Sequence, residues 1–347
     1  MTSLAGDRSD GGTSARPLVA DNAIFFSTAI SANGKRSCAT CHDPLFAWSA
    51  PSRAVSASRS GRVSPGLLSA HGAKFLFWDG RATSLESVVM EVIENENELD
   101  GSRLLAAKAA LQPGHDISAC APSSRALRVY LDGIPDKRLG ASSLFSYYRY
   151  LPNQDRKEID RSFFCVAHVL ANFVRAIPDI DTQLGRTNKG QTLTLAAFRG
   201  RELFTGKAKC ITCHNGPDLT DNQFHNVGIP DIGRSDSSDA GRYDAAQRFQ
   251  KNPYNTLASD FGAAQSLPIF RINDEMWGAF KTPALRGVSR KVYFMHNGIF
   301  SSLDEVVDYY NTLDRAAFPP HHYNGLLTPL QLTKEEIDDL IAFLKTL

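Results

Sequence analysis

Apolar residues along this chain form short clusters that polar residues interrupt, and no apolar run is long. The cluster at residues 88–93 is broken by Glu91, and nothing approaches the roughly 18–20 residues of a membrane span. A Ser or Thr followed three positions later by Glu precedes three of the clusters, and this capping-box pattern predicts helix starts. The three patterns begin at Thr83, Ser302 and Thr333. Further helices are expected over residues 166–176 and from Leu193 onward.

The length of 347 residues predicts roughly two domains, at about 150 residues per domain. Apolar residues make up 42% of the chain, which is enough for a globular core. The formal charge of +1 argues against a nucleic-acid-binding protein, which would carry a basic excess. Residues 1–16 are rich in small and polar residues, so we expect them to be disordered. They lack the basic and apolar regions of a signal peptide.

Four of the six cysteines lie in two C-x-x-C-H patterns, at residues 38–42 and 210–214. This pattern is typical of a c-type haem attachment site. Its two thiols lie on one side of a helical turn and can form thioethers to one porphyrin, while the histidine becomes the proximal iron ligand. A zinc ribbon would place the two patterns about 15–20 residues apart, whereas they are 172 apart here. The sequence predicts two covalently bound haem c groups, held by Cys38, Cys41, His42, Cys210, Cys213 and His214.

A second pair of segments also repeats along the chain. Residues 77–89 resemble residues 295–307 at an offset of 218, and we call these segments the first and second distal blocks. Repeats at fixed offsets indicate duplicated structural units. The two offsets predict two copies of one haem domain, with 46 more residues between motif and distal block in the second copy.

The two copies differ at one position that matters for iron. The helix predicted in the second distal block runs on to Tyr310, and the equivalent residue of the first copy is Val92. A phenol oxygen can ligate ferric iron, whereas valine cannot. If both helices face the irons, Tyr310 closes the second haem and the first haem is open. The alternative is that Tyr310 is an aromatic residue of the core.

Together these motifs resemble the bacterial di-haem cytochrome c peroxidases and their relative MauG, over nearly the whole chain from about Leu18. The resemblance implies a mostly α fold of two cytochrome c-like haem domains that arose by internal duplication. We expect the domains to span residues 17–190, with the peroxide-reacting haem, and residues 191–347, with the electron-transfer haem. Besides the haem motifs, it rests on four segments: residues 77–82, residues 281–286, residues 295–298 and the ending from residue 332.

The resemblance also implies roles for individual residues. Trp78 matches the tryptophan between the haems, and Glu98 matches the distal-pocket glutamate of the peroxide-reacting haem. Glu98 could instead be a solvated carboxylate at an acidic helix end. Tyr310 stands where many peroxidases have a methionine ligand and where MauG has tyrosine. Met295 and Met276 remain competitors for that role.

Three positions depart from the family pattern. His71 is the one histidine between Asp43 and Phe77, and it does not match the distal histidine that many peroxidases carry. Val88 replaces a pocket glutamine. Val63 replaces an asparagine that often contributes to an inter-haem calcium site, so calcium is doubtful, although water and backbone carbonyls could still bind it.

These features predict a di-haem oxidoreductase that reacts with hydrogen peroxide. Its partner is expected to be a small electron-donor protein, a cytochrome c or cupredoxin, or else a protein substrate as for MauG. The alternative is a di-haem electron carrier without peroxide chemistry, in which His71 is the nearest candidate to close the first haem. Covalent haem attachment implies export to the periplasm, where Cys120 and Cys165 could form a disulfide or remain separate thiols. A homodimer is conceivable, and the motifs do not specify it.

Overall fold

The computed structural model describes residues 23–52, 61–178, 182, 184, 192–230, 239–263, 267–313 and 327–347. The N-terminal segment 1–16 and the predicted domain boundary at residues 190–191 lie outside these residues. The described chain is mostly helical, as expected. Its α-helices are α1 (Ala23–Phe26), α2 (Cys38–Cys41), α3 (Leu85–Glu94), α4 (Arg103–Ala109), α5 (Arg125–Asp132), α6 (Asn153–Ala176), α7 (Leu195–Thr205), α8 (Arg242–Arg248), α9 (Pro253–Asp260), α10 (Leu303–Thr312) and α11 (Lys334–Leu344).

Short elements connect these helices. Two-residue strands β1 (Phe224–His225) and β2 (Phe280–Lys281) pair antiparallel. Single 3-10 turns occur at Pro44–Phe46, Ala70–Gly72, Ser118–Cys120, Asp136–Arg138, Cys210–Thr212, Phe249–Lys251, Asp274–Met276 and Val288–Arg290, and a π-helical turn at Leu144–Tyr148. Within the described part of the chain, no helix combines the length and apolarity that crossing a bilayer requires.

Serine caps start the helices of both distal blocks. Ser302 begins α10 as expected, because its hydroxyl accepts a hydrogen bond from the Glu305 amide at 3.1 Å. The prediction of Thr83 as the first cap is wrong by one residue. Ser84 is the cap, since its hydroxyl accepts from the Ser87 amide at 3.1 Å. Thr333 caps α11 in a reciprocal capping box, as predicted.

The long helix α6 forms the spine of the first half of the chain. It packs against α3 and α4, and its apolar face supplies Phe163, Leu170 and Phe173 to the core. These three side chains are essentially fully buried. The helix begins well before residue 166, where the sequence placed it, because its first three turns cover a separate apolar cluster formed with α4 and α5.

In the second half, the terminal helix α11 packs closely on α7. Gly200 allows this approach, because a Cβ at that position would overlap the carbonyl oxygen of Asp339. The rings of Phe204 and Phe343 meet edge to face at 5.3 Å. Arg199 bridges the same two helices through its bidentate contact with Asp339, at 2.5 and 2.7 Å. Helix α7 leads directly to the second haem motif, so this packing positions that motif.

Cys120 and Cys165 form a disulfide in the structure, with their Cα atoms 5.4 Å apart. The bond ties the turn before α5 to the middle of α6. Ser162 supports the same connection, because its hydroxyl donates to the Cys120 carbonyl at 2.6 Å. The disulfide therefore anchors the region that precedes and includes α5, the long stretch between the first distal block and α6.

Replacing both Cys120 and Cys165 with serine is expected to lower the free energy of unfolding by about 4 kcal/mol. The uncrosslinked chain regains, when unfolded, the conformational entropy of a 45-residue loop. Urea unfolding followed by far-UV circular dichroism measures the difference. Reduced wild-type protein should lose the same amount as the variant. A loss below about 1 kcal/mol in both would contradict a stabilising disulfide.

Candidate functional site

Both C-x-x-C-H motifs line one cavity between the two halves of the chain. The cavity wall also contains most of the residues that the sequence singled out. These are Trp78, Val92, Glu98, Met295 and Tyr310. His71 and Met276 lie outside the lining, and His71 is exposed on the surface. The structure thus brings the two motifs and the candidate site residues to a common space.

The first motif is held by one helical turn. Cys38 and Cys41 begin and end α2, and the His42 amide donates to the Cys38 carbonyl at 2.9 Å. The His42 ring Nδ1 lies 3.2 Å from the Trp48 carbonyl oxygen. Since a carbonyl can only accept, Nδ1 carries the proton and Nε2 keeps a lone pair, as in a metal-ligating histidine. Burial lowers the pKa of His42 to about 4, so the ring is neutral near pH 7.

The second motif repeats this arrangement with a tighter turn. The His214 amide donates to the Cys210 carbonyl at 2.9 Å, and the His214 Nδ1 donates to the Leu219 carbonyl at 2.9 Å. Burial lowers the pKa of His214 as well. Both histidines are therefore fixed as neutral rings through a backbone carbonyl five or six residues downstream.

Several features of the cavity fit a haem at each motif. None of the four motif cysteines is in a disulfide bond. Two partly buried lysines, Lys281 and Lys291, also line the cavity, and desolvation lowers the pKa of each to about 8. Within the described residues no carboxylate forms an ion pair with either lysine. The carboxylate groups of a haem would provide the counter-charge that these amines do not receive from the described residues.

The two distal blocks adopt the same backbone conformation. Phe77 and Met295 have positive φ angles of 64° and 65°, and Gly80 and Gly298 have 71° and 66°. Each block closes with an isolated bridge, formed by Leu76 with Ala82 and by Phe294 with Phe300. Helices α3 and α10 then begin at equivalent positions. The offset of 218 found in the sequence is thus reproduced by the backbone.

Trp78 lies where the two halves meet. Its indole Nε1 donates to the Val63 carbonyl at 2.7 Å. Its own carbonyl accepts from the Lys281 amide at 2.7 Å, and the Val63 amide donates to the His296 carbonyl at 2.8 Å. His296, the equivalent of Trp78 in the second block, stacks on Phe280 with ring centroids 3.6 Å apart. These bonds fix the orientation of Trp78 and connect both blocks.

Glu98 is a partly buried carboxylate in the cavity wall, in a loop that two side chains hold. The Asn95 amide donates to Glu98 Oε1 at 3.0 Å, and Arg36 donates to the backbone carbonyls of Asn97 and Glu98 at 2.6 Å each. Burial raises the pKa of Glu98 to about 7, although the nearby Arg81 opposes the shift. The neighbouring Glu96 is exposed. The environment of Glu98 therefore differs from that of a solvated carboxylate.

Tyr310 and Val92 occupy equivalent positions on α10 and α3, and both line the cavity. Burial raises the pKa of Tyr310, and the thiols of Cys210 and Cys213 act in the same direction. The phenol therefore lies on the side of the second motif. Met295 also lines the cavity, so it remains a competitor, whereas Met276 does not.

Sequence reasoning did not single out Arg62, which bridges the two halves. Its guanidinium donates to Asp79 at 2.5 Å and to Asp239 at 2.7 and 2.6 Å. Both carboxylates are therefore already neutralised, and the Val63 carbonyl already accepts from Trp78. This arrangement offers no support for a calcium ion at the junction. Arg62 and Asp239 are 177 positions apart in the sequence, and no local sequence pattern predicts their contact.

A second charged group lies beside the second haem motif. The sequence predicts its His225 to be a haem-edge contact rather than a ligand, whereas Asp221 was not singled out. Asp221 and His225 lie beside Cys213, close enough for the three side chains to hold a metal ion. The His225 Nε2 is 2.8 Å from Asp221 Oδ2. Because Cys213 belongs to the haem motif, we assign this group to the surroundings of the second haem rather than to a separate metal site.

Helical halves that share one cavity, each with its own C-x-x-C-H motif, define a two-haem class of protein. A sequence model of the family described as di-haem cytochrome c peroxidase matches residues 22–122. Cytochrome-c peroxidase IdrP1 of Pseudomonas sp. (strain SCT) is 27% identical over 97% of this chain and 82% of its own length. MauG of Methylorubrum extorquens, a methylamine utilization protein, is 29% identical over 94% of this chain and 76% of its own length.

Solved structures agree on the fold. The diheme peroxidase BthA from Burkholderia thailandensis E264 superposes with a TM-score of 0.69 at 21% identity, covering 95% of this chain and 85% of that one. A MauG-like protein associated with microbial copper homeostasis superposes with a TM-score of 0.63 at 22% identity, covering 93% and 86%. These matches confirm the predicted resemblance to the di-haem cytochrome c peroxidases and MauG. The family implies two haem groups, and the relatives named in it are oxidoreductases.

Proposed function

We propose that this protein is a periplasmic di-haem c-type oxidoreductase that reacts with hydrogen peroxide at an open first haem. Oxidising equivalents then pass through Trp78 to a second haem that His214 and Tyr310 ligate. The observation that carries the proposal is the asymmetry between Val92 and Tyr310 at equivalent positions of one cavity. A valine leaves an iron open to a small oxidant, whereas a phenol oxygen closes one.

The matching distal blocks support an origin by internal duplication, with domains at residues 17–190 and 191–347. Turns with the same positive φ angles, followed by helices that start at equivalent positions, are unexpected for unrelated segments. Each domain would hold one haem through its two motif cysteines and its motif histidine. When bound, the haems supply the redox chemistry, and the open one supplies the position where peroxide binds.

The residues around the first haem provide the proton transfers that peroxide cleavage needs. An ionised Glu98 carboxylate would accept the proton of the nearer peroxide oxygen and return it to the departing oxygen as water leaves. A pKa of about 7 suits both steps, because the carboxyl can exchange its proton in either direction near neutral pH. Asn95 and Arg36 hold the loop so that the carboxylate stays in the cavity wall.

Trp78 would carry oxidising equivalents between the two haems. Its indole is held by the Val63 carbonyl and its backbone by Lys281, so both halves of the chain fix its position. A fixed aromatic ring at the junction needs little rearrangement when it is oxidised and reduced. The partner that finally delivers electrons would be a cytochrome c, a cupredoxin or an oxidisable protein substrate. Relatives named as peroxidase and as MauG favour these choices about equally.

The electron-carrier alternative requires a sixth ligand at the first haem. His71, its candidate, is exposed and lies outside the cavity lining. This placement favours an open first haem over a closed one.

Low-temperature electron paramagnetic resonance of the fully ferric holoprotein tests the proposal. We expect one high-spin iron and one low-spin iron, because one haem is open and the other is closed by Tyr310. Added peroxide should remove the high-spin signal. Loss of both signals without a donor would indicate that the two haems share the oxidation, as in a MauG-like enzyme. Two low-spin irons that do not respond to peroxide, before or after reduction by one electron, would overturn the proposal.

A further inference from the structure

Helices α8 and α9 of the second half extend onto the first distal block. They lie in the stretch between β1 and β2, where the second half is longer than the first. The Arg242 guanidinium donates to the carbonyls of Asp79 and Gly80 at 3.0 and 2.8 Å. The Asn255 amide donates to the Arg81 carbonyl at 2.9 Å. The turn that carries Trp78 and Arg81 is therefore held by the other half of the chain.

The side chain of Arg81 is fixed on three sides and lines the cavity that Glu98 lines. Its Nε donates to Glu91 Oε1 at 2.6 Å, and its Nη1 lies 3.1 and 3.2 Å from the two carboxylate oxygens of Asp79. The guanidinium also lies over the Phe77 ring, 3.4 Å from the centroid. Arg81 therefore presents a positive charge to the cavity in a single orientation.

Glu91 is in turn held from the second half. The Asn252 side-chain amide donates to Glu91 Oε2 at 3.0 Å. Asn252 is itself fixed, because it caps α9 and its Oδ1 accepts from the Tyr254 amide at 2.9 Å. Because the side-chain oxygen of Asn252 is used in the cap, its side-chain nitrogen points to Glu91 on α3. One asparagine therefore connects the start of α9 to the acidic partner of Arg81.

We propose that Arg81 and Glu91, held in place by Asn252 of the second half, are positioning residues that set the charge facing Glu98 in the peroxide pocket. This inference rests on the proposed role of Glu98. Arg81 stabilises the ionised carboxylate, and Glu91 opposes it. The pocket of the first haem is thus completed by a segment of the second half, and the balance of the two charges decides when Glu98 can accept a proton.

The other charged and titratable groups facing Glu98 do not alter the direction in which replacing Arg81 or Glu91 should shift its pKa. Arg36 contacts the loop through backbone carbonyls and lowers the pKa of Glu98 less than Arg81 does. Asn95 donates to the carboxylate without a charge of its own. Cys41 faces it as a thiol, which thioether formation would remove as a titrating group. Arg81 and Glu91 are therefore the charges whose removal should shift Glu98 most.

The test is the pH dependence of cyanide binding to the ferric holoprotein, followed by haem absorbance. Hydrogen cyanide gives up its proton as the anion binds iron, so the association rate reports the pocket base without turnover. Glu91→Gln should move the midpoint down by about one pH unit, and Arg81→Gln should move it up by a similar amount. Arg81→Lys keeps the charge and should restore most of the wild-type midpoint.

Asn252→Ser tests the contact from the second half on its own, because it keeps the charges of Arg81 and Glu91. Serine can still cap α9, but its hydroxyl is too short to donate to Glu91. The variant therefore loses the hydrogen bond between Asn252 and Glu91. We expect cyanide association at pH 7 to slow about fivefold, which corresponds to the net free energy of one hydrogen bond. Haem content should be unchanged. Wild-type kinetics in this variant would show that Asn252 does not position the pair. The matched control is Glu96→Gln, an exposed carboxylate of the same loop, which should leave the midpoint unchanged.

Two outcomes distinguish this inference from the proposed function. If Glu98→Gln keeps the pH dependence of cyanide binding, the proposed role of Glu98 fails. If Glu98→Gln abolishes it, while Glu91→Gln and Arg81→Gln leave the midpoint at its wild-type value, Glu98 stands and the positioning inference is overturned. Shifts of opposite sign in the two charge variants support the inference, because a general disturbance of the pocket would move both in one direction.

Discussion

Glu98→Gln is expected to slow the reaction of the ferric protein with hydrogen peroxide by a factor of about 10² to 10⁴, the usual contribution of a positioned general acid–base group. Glutamine keeps the size of the side chain and can still hydrogen-bond to Asn95, so the loop should remain in place. It cannot accept a proton from peroxide or return one to the departing oxygen. Stopped-flow absorbance with peroxide in excess measures the rate.

The wild-type rate should also rise with pH through a midpoint near 7. Burial raises the pKa of Glu98 to about 7, so the carboxyl is protonated and inactive as a base below that value and ionised above it. One pH unit below the midpoint, the ionised fraction is about tenfold lower than its limit. The Glu98→Gln variant should lose this limb and react at a low, nearly constant rate.

Glu96→Gln is the control for this prediction. It removes a carboxylate two positions away that is exposed and does not line the cavity. Peroxide kinetics in that variant should match the wild type at every pH. Wild-type kinetics in Glu98→Gln, with both haems present, would remove Glu98 from the mechanism.

The sequence predicted those parts of the site that depend on local spacing. Two thiols and a histidine within five residues define each motif whatever the rest of the chain does, and the 218-residue offset relates the starts of α3 and α10. The cap of α3 was misplaced from Ser84 to Thr83, because both residues offer a hydroxyl and only the backbone conformation selects between them. A local sequence pattern therefore predicts that a helix is present better than it predicts the residue at which the helix begins.

Long-range contacts were beyond reach for a different physical reason. The contact between Asn252 and Glu91 spans 161 residues, and neither residue belongs to a pattern that points to the other. Such pairs form only when separate helices pack, and packing depends on the shape of the whole core rather than on periodicity. The disulfide was undecided for the same reason, since two cysteines 45 residues apart are equally compatible with separate thiols until α6 is placed.

In the proposed function, the two halves differ in more than their iron ligands. The first half would offer an open haem position and an acid–base group, whereas the second half would contribute a phenol and the helices α8 and α9 that contact the first distal block. If the two halves arose by the duplication that we propose, each would have inherited the same haem-binding turn. Insertions between the haem motif and the distal block would then change the surroundings of the haem without disturbing its covalent attachment.

Tyr310→Phe is expected to convert the resting ferric spectrum from one high-spin and one low-spin iron to two high-spin irons. Phenylalanine keeps the ring that α10 buries in the cavity and removes the oxygen that would ligate the second iron. Because the phenol is buried, its pKa is raised, and the iron itself would provide the charge that makes deprotonation favourable. Low-temperature electron paramagnetic resonance, with spin quantified per protein, measures the change.

Tyr309→Phe is the matched control, because the adjacent phenol donates to the Val227 carbonyl at 2.6 Å and should leave both irons unchanged. Haem content in the two variants should equal that of the wild type, since the thioether cysteines and His214 are intact. If Tyr310→Phe retains its low-spin iron, the phenol is not the ligand, and Tyr310 returns to the interpretation as a core aromatic. Met295, which lines the same cavity, is then the residue whose replacement by leucine should produce the second high-spin iron.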